Sequence, residues 1–322
     1  MRSKENKLGY ANIIPDEIAL PLILGTSIRA IGKEWNTTIF APENQQKSLF
    51  DLRDALSIPT LLTILGVEDL DQISQHSNLV VSAYTNPEDS RKIRYAKNIL
   101  GKNHVITLDN NPEVLEYDLI SKFNVTHLHS QGVVAITGNG KGKTTTALGF
   151  ATKAYLEGGN VAIIQWFKEK KSGNLTWAIN EHNFPTQLKN PERYNFYPTG
   201  AGFVGSPNMD RVKEKQKHQD RAKSGLELAH KMITSGDYSV VVLDELVDTL
   251  IEVATYLPYP ILEANDIQDL LKLVSDNPTK VIVTGRKVTP SWEQFISKSI
   301  VISSIKHPYA TSGAGAVSGL DF

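Results

Sequence analysis

No cysteine occurs among the 322 residues. That absence excludes a disulfide framework, a thiolate metal centre and a cysteine nucleophile, and it fits a reducing compartment. Net charge is nearly absent as well: 34 Lys and Arg stand against 35 Asp and Glu, leaving −1. No bulk field therefore recruits nucleic acid or an acidic membrane, and any polyanion has to be held locally. Long hydrophobic runs are missing too. The longest near the start, Ile18 to Leu24, is interrupted by Pro21 and follows Asp16 and Glu17, where an export signal would be positive. Neither a membrane span nor a signal is read, and a cytoplasmic location is expected. What is present is ordinary for a soluble globular chain, 40% hydrophobic and 21% charged residues, at a length that suggests two domains.

From residue 131 onward, short apolar runs alternate with helical patterns, which predicts an α/β fold: a mostly parallel sheet with crossover helices in a Rossmann-like αβα layer. Strands are expected at Val133 to Thr137, Val161 to Phe167, Tyr238 to Leu243 and, as the last core strand, Val281 to Thr284. Helices are expected at Lys143 to Glu157, Asp210 to Thr234, Glu245 to Tyr256 and Asn265 to Val274. The first half predicts a second, smaller α/β domain, with strands near Thr37 to Phe40, Leu79 to Ala83 and Val105 to Leu108 and a helix at Pro87 to Leu100. The polar stretch Asn124 to Gly132 is the expected boundary, giving domains 1–130 and 131–322.

The halves also align with each other. At an offset of 124, Leu24, Gly25, Ala30, Asn36 and Ile39 match Leu148, Gly149, Ala154, Asn160 and Ile163, with Arg29 opposite Lys153. At an offset of 176, Val105, Ile106, Ile120, Ser121 and Lys122 match Val281, Ile282, Ile296, Ser297 and Lys298. Either the first half is a degenerate copy of the second, or the matches reflect the apolar patterning that any two αβα units share. On the first reading the copy is chemically stripped, because Ile14-Pro15-Asp16-Glu17-Ile18-Ala19 stands where the second half carries its glycine-rich turn.

That turn, Gly138-Asn139-Gly140-Lys141-Gly142-Lys143-Thr144-Thr145, lies between a predicted strand and a predicted helix. It reads as a phosphate-binding loop. Glycines let backbone N–H groups converge on phosphate oxygens, the helix N-terminus adds a favourable dipole, Lys143 supplies a point charge and Thr144 a hydroxyl for Mg²⁺. The common pattern has four residues between the first Gly and the Gly-Lys pair; here three intervene, Asn139 to Lys141, which points to a specialised class. Asp244 and Glu245 end the run Val240 to Leu243, at the carboxyl edge of a parallel strand where such sheets place ligands, and can hold Mg²⁺ directly or through water. Arg286 follows the last core strand and suits phosphate. His127 and His129 lack a third partner and read as structural.

In this order, the shortened loop, Leu243-Asp244-Glu245-Leu246, Val283-Thr284-Gly285-Arg286, Ile305-Lys306-His307 and the closing Gly319-Leu320-Asp321-Phe322 resemble the P-loop ATP:corrinoid adenosyltransferases, with Gly200-Ala201-Gly202-Phe203 similar to the corrinoid-side segment. The resemblance covers about residues 131–322. It implies a P-loop, RecA-like domain that transfers the 5′-deoxyadenosyl group of ATP to the Co(I) of a corrinoid and releases triphosphate. It implies Mg²⁺, with Mn²⁺ as a substitute, and a reductase that delivers Co(I). By position, Gly138, Asn139, Gly140, Lys141, Gly142, Lys143, Thr144 and Thr145 would hold triphosphate, joined by Lys153 and Arg286. Thr144, Asp244 and Glu245 would hold the metal, His307 would lie near the nucleoside, and Phe203 would face the corrinoid and help remove its lower ligand. The family works as homodimers, so a homodimer or a single-chain pseudodimer is expected. The sequence departs from the family at Gly205, where an aromatic is usual, at Ala310, where an Asp is usual, and in the segment Thr311 to Ala316. The competing readings are a P-loop ATPase or kinase, and a non-catalytic nucleotide- or corrinoid-binding homologue.

Overall fold

The computed structural model describes residues 16–72, 77–82, 104–107, 120–128, 132–168, 179–201, 211–250 and 259–306. Phe203, Gly205, His307, Ala310, His129 and the helix expected at Pro87 to Leu100 lie outside the described residues.

The described residues begin with helix α1 (Asp16–Gly32), strand β1 (Thr37–Phe40), helix α2 (Glu43–Ala55) and strands β2 (Leu62–Leu65), β3 (Leu79–Ser82) and β4 (His104–Thr107). These four strands form a parallel sheet in the order β2-β1-β3-β4. There follow β5 (Ile120–His127), β6 (Val133–Thr137), helix α3 (Lys143–Leu156), β7 (Val161–Gln165), β8 (Tyr194–Pro198), helix α4 (Arg211–Ser235), β9 (Val240–Asp244), helix α5 (Ala264–Lys272), β10 (Lys280–Thr284) and β11 (Ile296–Lys306). Their strands make a seven-stranded sheet in the order β5-β11-β6-β10-β9-β7-β8, parallel except where β5 runs against β11. The fold is α/β, as expected. Among the described residues no helix is long and apolar enough to cross a membrane.

The large sheet is covered on both faces, and its strands alternate between two cores with the two-residue period of extended chain. Val161 and Ile163 of β7 and Val240 and Val242 of β9 enter one apolar cluster; Ala162, Ile164, Val241 and Leu243 enter the other. The second cluster is roofed by α4 and α5, the latter opened by a reciprocal capping box between Glu263 and Asp266. The first is roofed by α3 and α1. Ile18, Ile23, Leu24, Ile28 and Ile31 of α1 are fully buried, so the run that is too short and too broken to span a membrane is an interior helix.

Four features differ from the sequence-based expectation. The polar stretch expected as a boundary contains the second half of β5, which pairs with β11 from His127 opposite Lys298 to Ile120 opposite Lys306. An edge strand needs few apolar residues, so Asn124 to His127 reads as a linker although it completes the larger sheet. β8 ends in Pro198, which an edge strand tolerates. Val281 to Thr284 is not the last core strand: β11 inserts between β5 and β6. Finally, no helix starts at Glu245. That residue adopts a left-handed backbone (φ 61°) and a short 3-10 turn, Leu246–Thr249, follows.

Candidate active site

The site lies along the carboxyl edge of the large sheet, where β6, β9 and β10 end. After β6 the chain enters the glycine-rich turn. Gly138 and Gly142 have φ of 111° and 110°, a region that costs other residues about 1–2 kcal/mol. The turn is fastened from behind by backbone groups of other elements. Gly138 N–H donates to the Arg286 carbonyl (2.9 Å) and Gly140 N–H to the Ile302 carbonyl (2.8 Å). The Asn139 side-chain oxygen accepts from Ser304 N–H at 3.0 Å. β11 therefore holds the loop, a role that the sequence did not disclose. α3 begins at once, Thr146 N–H donating to the Gly142 carbonyl at 2.7 Å.

Lys143 folds back over the turn, its Nζ donating to the Gly140 carbonyl at 2.9 Å. Burial lowers its pKa, opposed by the nearby carboxylates of Asp248, Glu245 and Asp244 and reinforced by Arg286. Thr144 Oγ1 donates to Asp244 Oδ1 at 2.9 Å. The same oxygen accepts from Thr284 Oγ1 (2.7 Å), and Asp244 Oδ2 accepts from Gln165 Nε2 (3.0 Å). Asp244 is thus fully enclosed with both oxygens engaged. Gln165 in turn meets His182 through its carbonyl oxygen, and burial lowers the His182 pKa.

Glu245 is placed differently. Its N–H donates to Thr284 Oγ1 at 2.8 Å, fixing the left-handed turn. Its Oε2 is buried with no hydrogen-bond partner among the described residues. Burial pushes its pKa up to about 7, with Asp244 and Asp248 adding to the rise and Lys168 and Lys143 opposing it. An enclosed carboxylate oxygen without a donor is costly unless a cation occupies its other side. The donors fit a hard cation: the Thr144 hydroxyl, Glu245 directly, and Asp244 through water since its own oxygens are taken. No group of three or more acidic or histidine residues that would hold a metal by itself is found among the described residues, so phosphate oxygens and water would complete the shell.

Asp248 was not singled out by the sequence reading, yet its Oδ1 accepts from Arg286 N–H at 2.8 Å and sets the bend that carries Arg286 to the rim. Gln165 and Thr284 were missed likewise; the available signal was a polar residue closing an apolar strand. Lys153 is not brought to the loop. It is an exposed residue in the last turn of α3, 3.9 Å from Glu157 in a surface pair, about 15 Å along the helix from Lys143 at 1.5 Å per residue. Arg29 of α1 comes to the loop instead: its Nη1 donates to Thr145 Oγ1 at 2.8 Å.

A model of the ATP:corrinoid adenosyltransferase family (BtuR/CobO/CobP) matches residues 130–322. A corrinoid adenosyltransferase of Escherichia coli K12 is 26% identical over 192 residues, 59% of this chain and 85% of that protein. The corrinoid adenosyltransferase CobA of Salmonella typhimurium is 27% identical over 194 residues, again 59% and 85%. An uncharacterized protein of Nostoc, all2391, is 30% identical over 205 residues, 61% of this chain and 50% of its own length. A match over more than half the chain joins a shortened phosphate loop standing intact at the sheet edge: this protein belongs to the ATP:corrinoid adenosyltransferase family.

Proposed function

We propose that the protein transfers the 5′-deoxyadenosyl group of ATP to the Co(I) of a reduced corrinoid and releases triphosphate, in adenosylcobalamin synthesis or salvage. The observation that carries the reading is the short glycine-rich loop at the sheet's carboxyl edge with Lys143 folded onto the Gly140 carbonyl, a basic turn of the kind that suits a polyphosphate. In the reaction the cobalt electron pair forms the Co–C5′ bond while the C5′–O bond breaks and its pair leaves on triphosphate. Charge therefore develops at the 5′ oxygen, and the task of Lys143, the loop N–H groups and Arg286 is to stabilise it. A bound polyanion would favour the charged form of Lys143, against the burial that lowers its pKa. Mg²⁺ held by Thr144 and Glu245, with Asp244 behind, would supply further positive charge at the phosphates. No protein base is required, so the remaining work is alignment and exclusion of water. A cytoplasmic location and a separate reductase that generates Co(I) belong to the same proposal.

The test mixes the full chain with ATP, Mg²⁺ and chemically reduced cob(I)alamin, follows loss of the Co(I) spectrum and assays triphosphate. Adenosylcobalamin and triphosphate are expected in equal amounts, and Lys143→Ala should abolish both. ADP and phosphate formed without corrinoid would replace the reading by an ATPase or kinase. ATP binding without turnover would make the chain a non-catalytic homologue.

A further inference from the structure

The two sheets share more than composition. The order β2-β1-β3-β4 is reproduced by the neighbours β8-β7-β9-β10 of the large sheet. Registers are reproduced as well. Thr37 pairs with Leu62 and Leu79 as Val161 pairs with Tyr194 and Val240. Leu79 pairs with His104 as Val240 pairs with Lys280. The equivalence of Thr37 with Val161 is the sequence offset of 124, and that of His104 with Lys280 is the offset of 176, each found from residue identities alone. Shared αβα patterning does not dictate four matching strand positions in matching register, which supports a repeat.

The copies also face each other symmetrically. A Cβ on Gly25 of α1 would lie 1.8 Å from the Thr145 carbonyl oxygen of α3, and a Cβ on Gly149 of α3 would lie 1.7 Å from the Pro21 carbonyl oxygen of α1. The offset of 124 carries Gly25 to Gly149 and Pro21 to Thr145, so each contact is the image of the other. This is the self-complementary pattern of a two-fold interface, here within one chain.

One contact breaks that symmetry. Arg29 is 6% exposed, donates to Thr145 Oγ1 and lies 3.6 Å from the buried carboxylate of Glu181. Its image is Lys153, whose opposite number would be Pro21, a residue with no hydroxyl. Only the member of the pair that reaches the intact phosphate loop is kept.

We propose that the N-terminal half is a degenerate second copy docked about a pseudo-two-fold axis, and that its Arg29 is a positioning residue for the phosphate loop, acting through Thr145. The loop's first helical turn is then oriented from both sides, by Asp244 on Thr144 and by Arg29 on Thr145. The proposal rests on the reading of the loop as a triphosphate site.

The experiment titrates MgATP and inorganic triphosphate into the full chain by calorimetry. In Arg29→Met/Glu181→Leu the buried pair is replaced by apolar groups of similar size, a change that folds tolerate. Its affinity for both ligands should fall roughly tenfold, as for loss of a charge-assisted hydrogen bond, with the melting temperature held. Arg29→Lys, which keeps the charge facing Glu181, should recover part of the loss. Affinities within twofold of the parent in both variants overturn the role of Arg29 and leave the assignment of the loop standing. A parent chain that binds neither ligand overturns the loop reading, and this proposal with it.

Discussion

Thr144 donates its hydroxyl to Asp244 across 2.9 Å, tying the first turn of the loop helix to the end of a strand one hundred residues further along. Asp244 thereby acts as the knot of the site: it accepts from Thr144, Thr284 and Gln165 and donates to none of them.

Asp244→Asn should therefore be costly despite its similar shape. Its amide nitrogen must face either two hydroxyl donors or the Gln165 amide, leaving buried donors unpaired at about 1–3 kcal/mol. A drop of several degrees in melting temperature is expected in the ligand-free chain. An unchanged melt would remove Asp244 from its place at the centre of this network.

Glu245 offers a prediction of opposite sign. Its folded pKa, about 7, stands above the ordinary 4.5. The folded state then binds more protons than the unfolded state between those values, so this group's contribution is complete below 4.5 and is lost as pH rises through 7. Glu245→Gln should stabilise the ligand-free chain at pH 8 by on the order of 1–2 kcal/mol, while weakening Mg²⁺-dependent ATP binding. Melting curves at pH 5 and pH 8 check it; equal gains at both would contradict the assignment.

His182 behaves in the other direction. Its folded pKa lies below 6.5 because of burial, so the unfolded chain takes up the proton first and stability falls as pH drops below about 6.5. His182→Gln should flatten that acid loss. The measurement is the parent-minus-variant difference in urea midpoint between pH 7.5 and pH 5.5, which should shrink or reverse on acidification.

The helix crossing can be probed from either side. Gly25→Ala and Gly149→Ala each drive a methyl group into backbone, not into a movable side chain, and should cost about 3 kcal/mol or more. Gly236→Ala is the comparison: nothing lies within 4 Å, and only its φ of 75° is strained, for about 1–2 kcal/mol. Similar losses at all three positions would show that the halves are not in close contact.

Strand β6, the loop and the start of α3 were legible because glycine spacing, an apolar run and a helical period agree there. The carboxyl-edge positions of Asp244 and Arg286 followed from the same logic. β5, β8 and β11 were not legible. Ser297, Ser299, Ser303 and Ser304 dilute the apolar pattern of β11, whose place is fixed by partners on both sides, not by its own composition. Arg29 was visible only as an identity-poor position opposite Lys153. What makes it matter is a hydroxyl 116 residues away, and no local pattern encodes such a distance.

The packing of α1 on α3 has a consequence for how the molecule responds to dilution. Two separate chains meeting through such a surface come apart as concentration falls, and a mutation in either appears on both sides of the axis. Within one chain the tether keeps the local concentration of α1 against α3 on the order of millimolar whatever the bulk value. Each half is also free to change alone: one carries the loop's glycines and lysines, the other is a permanent neighbour that brings Arg29 to Thr145.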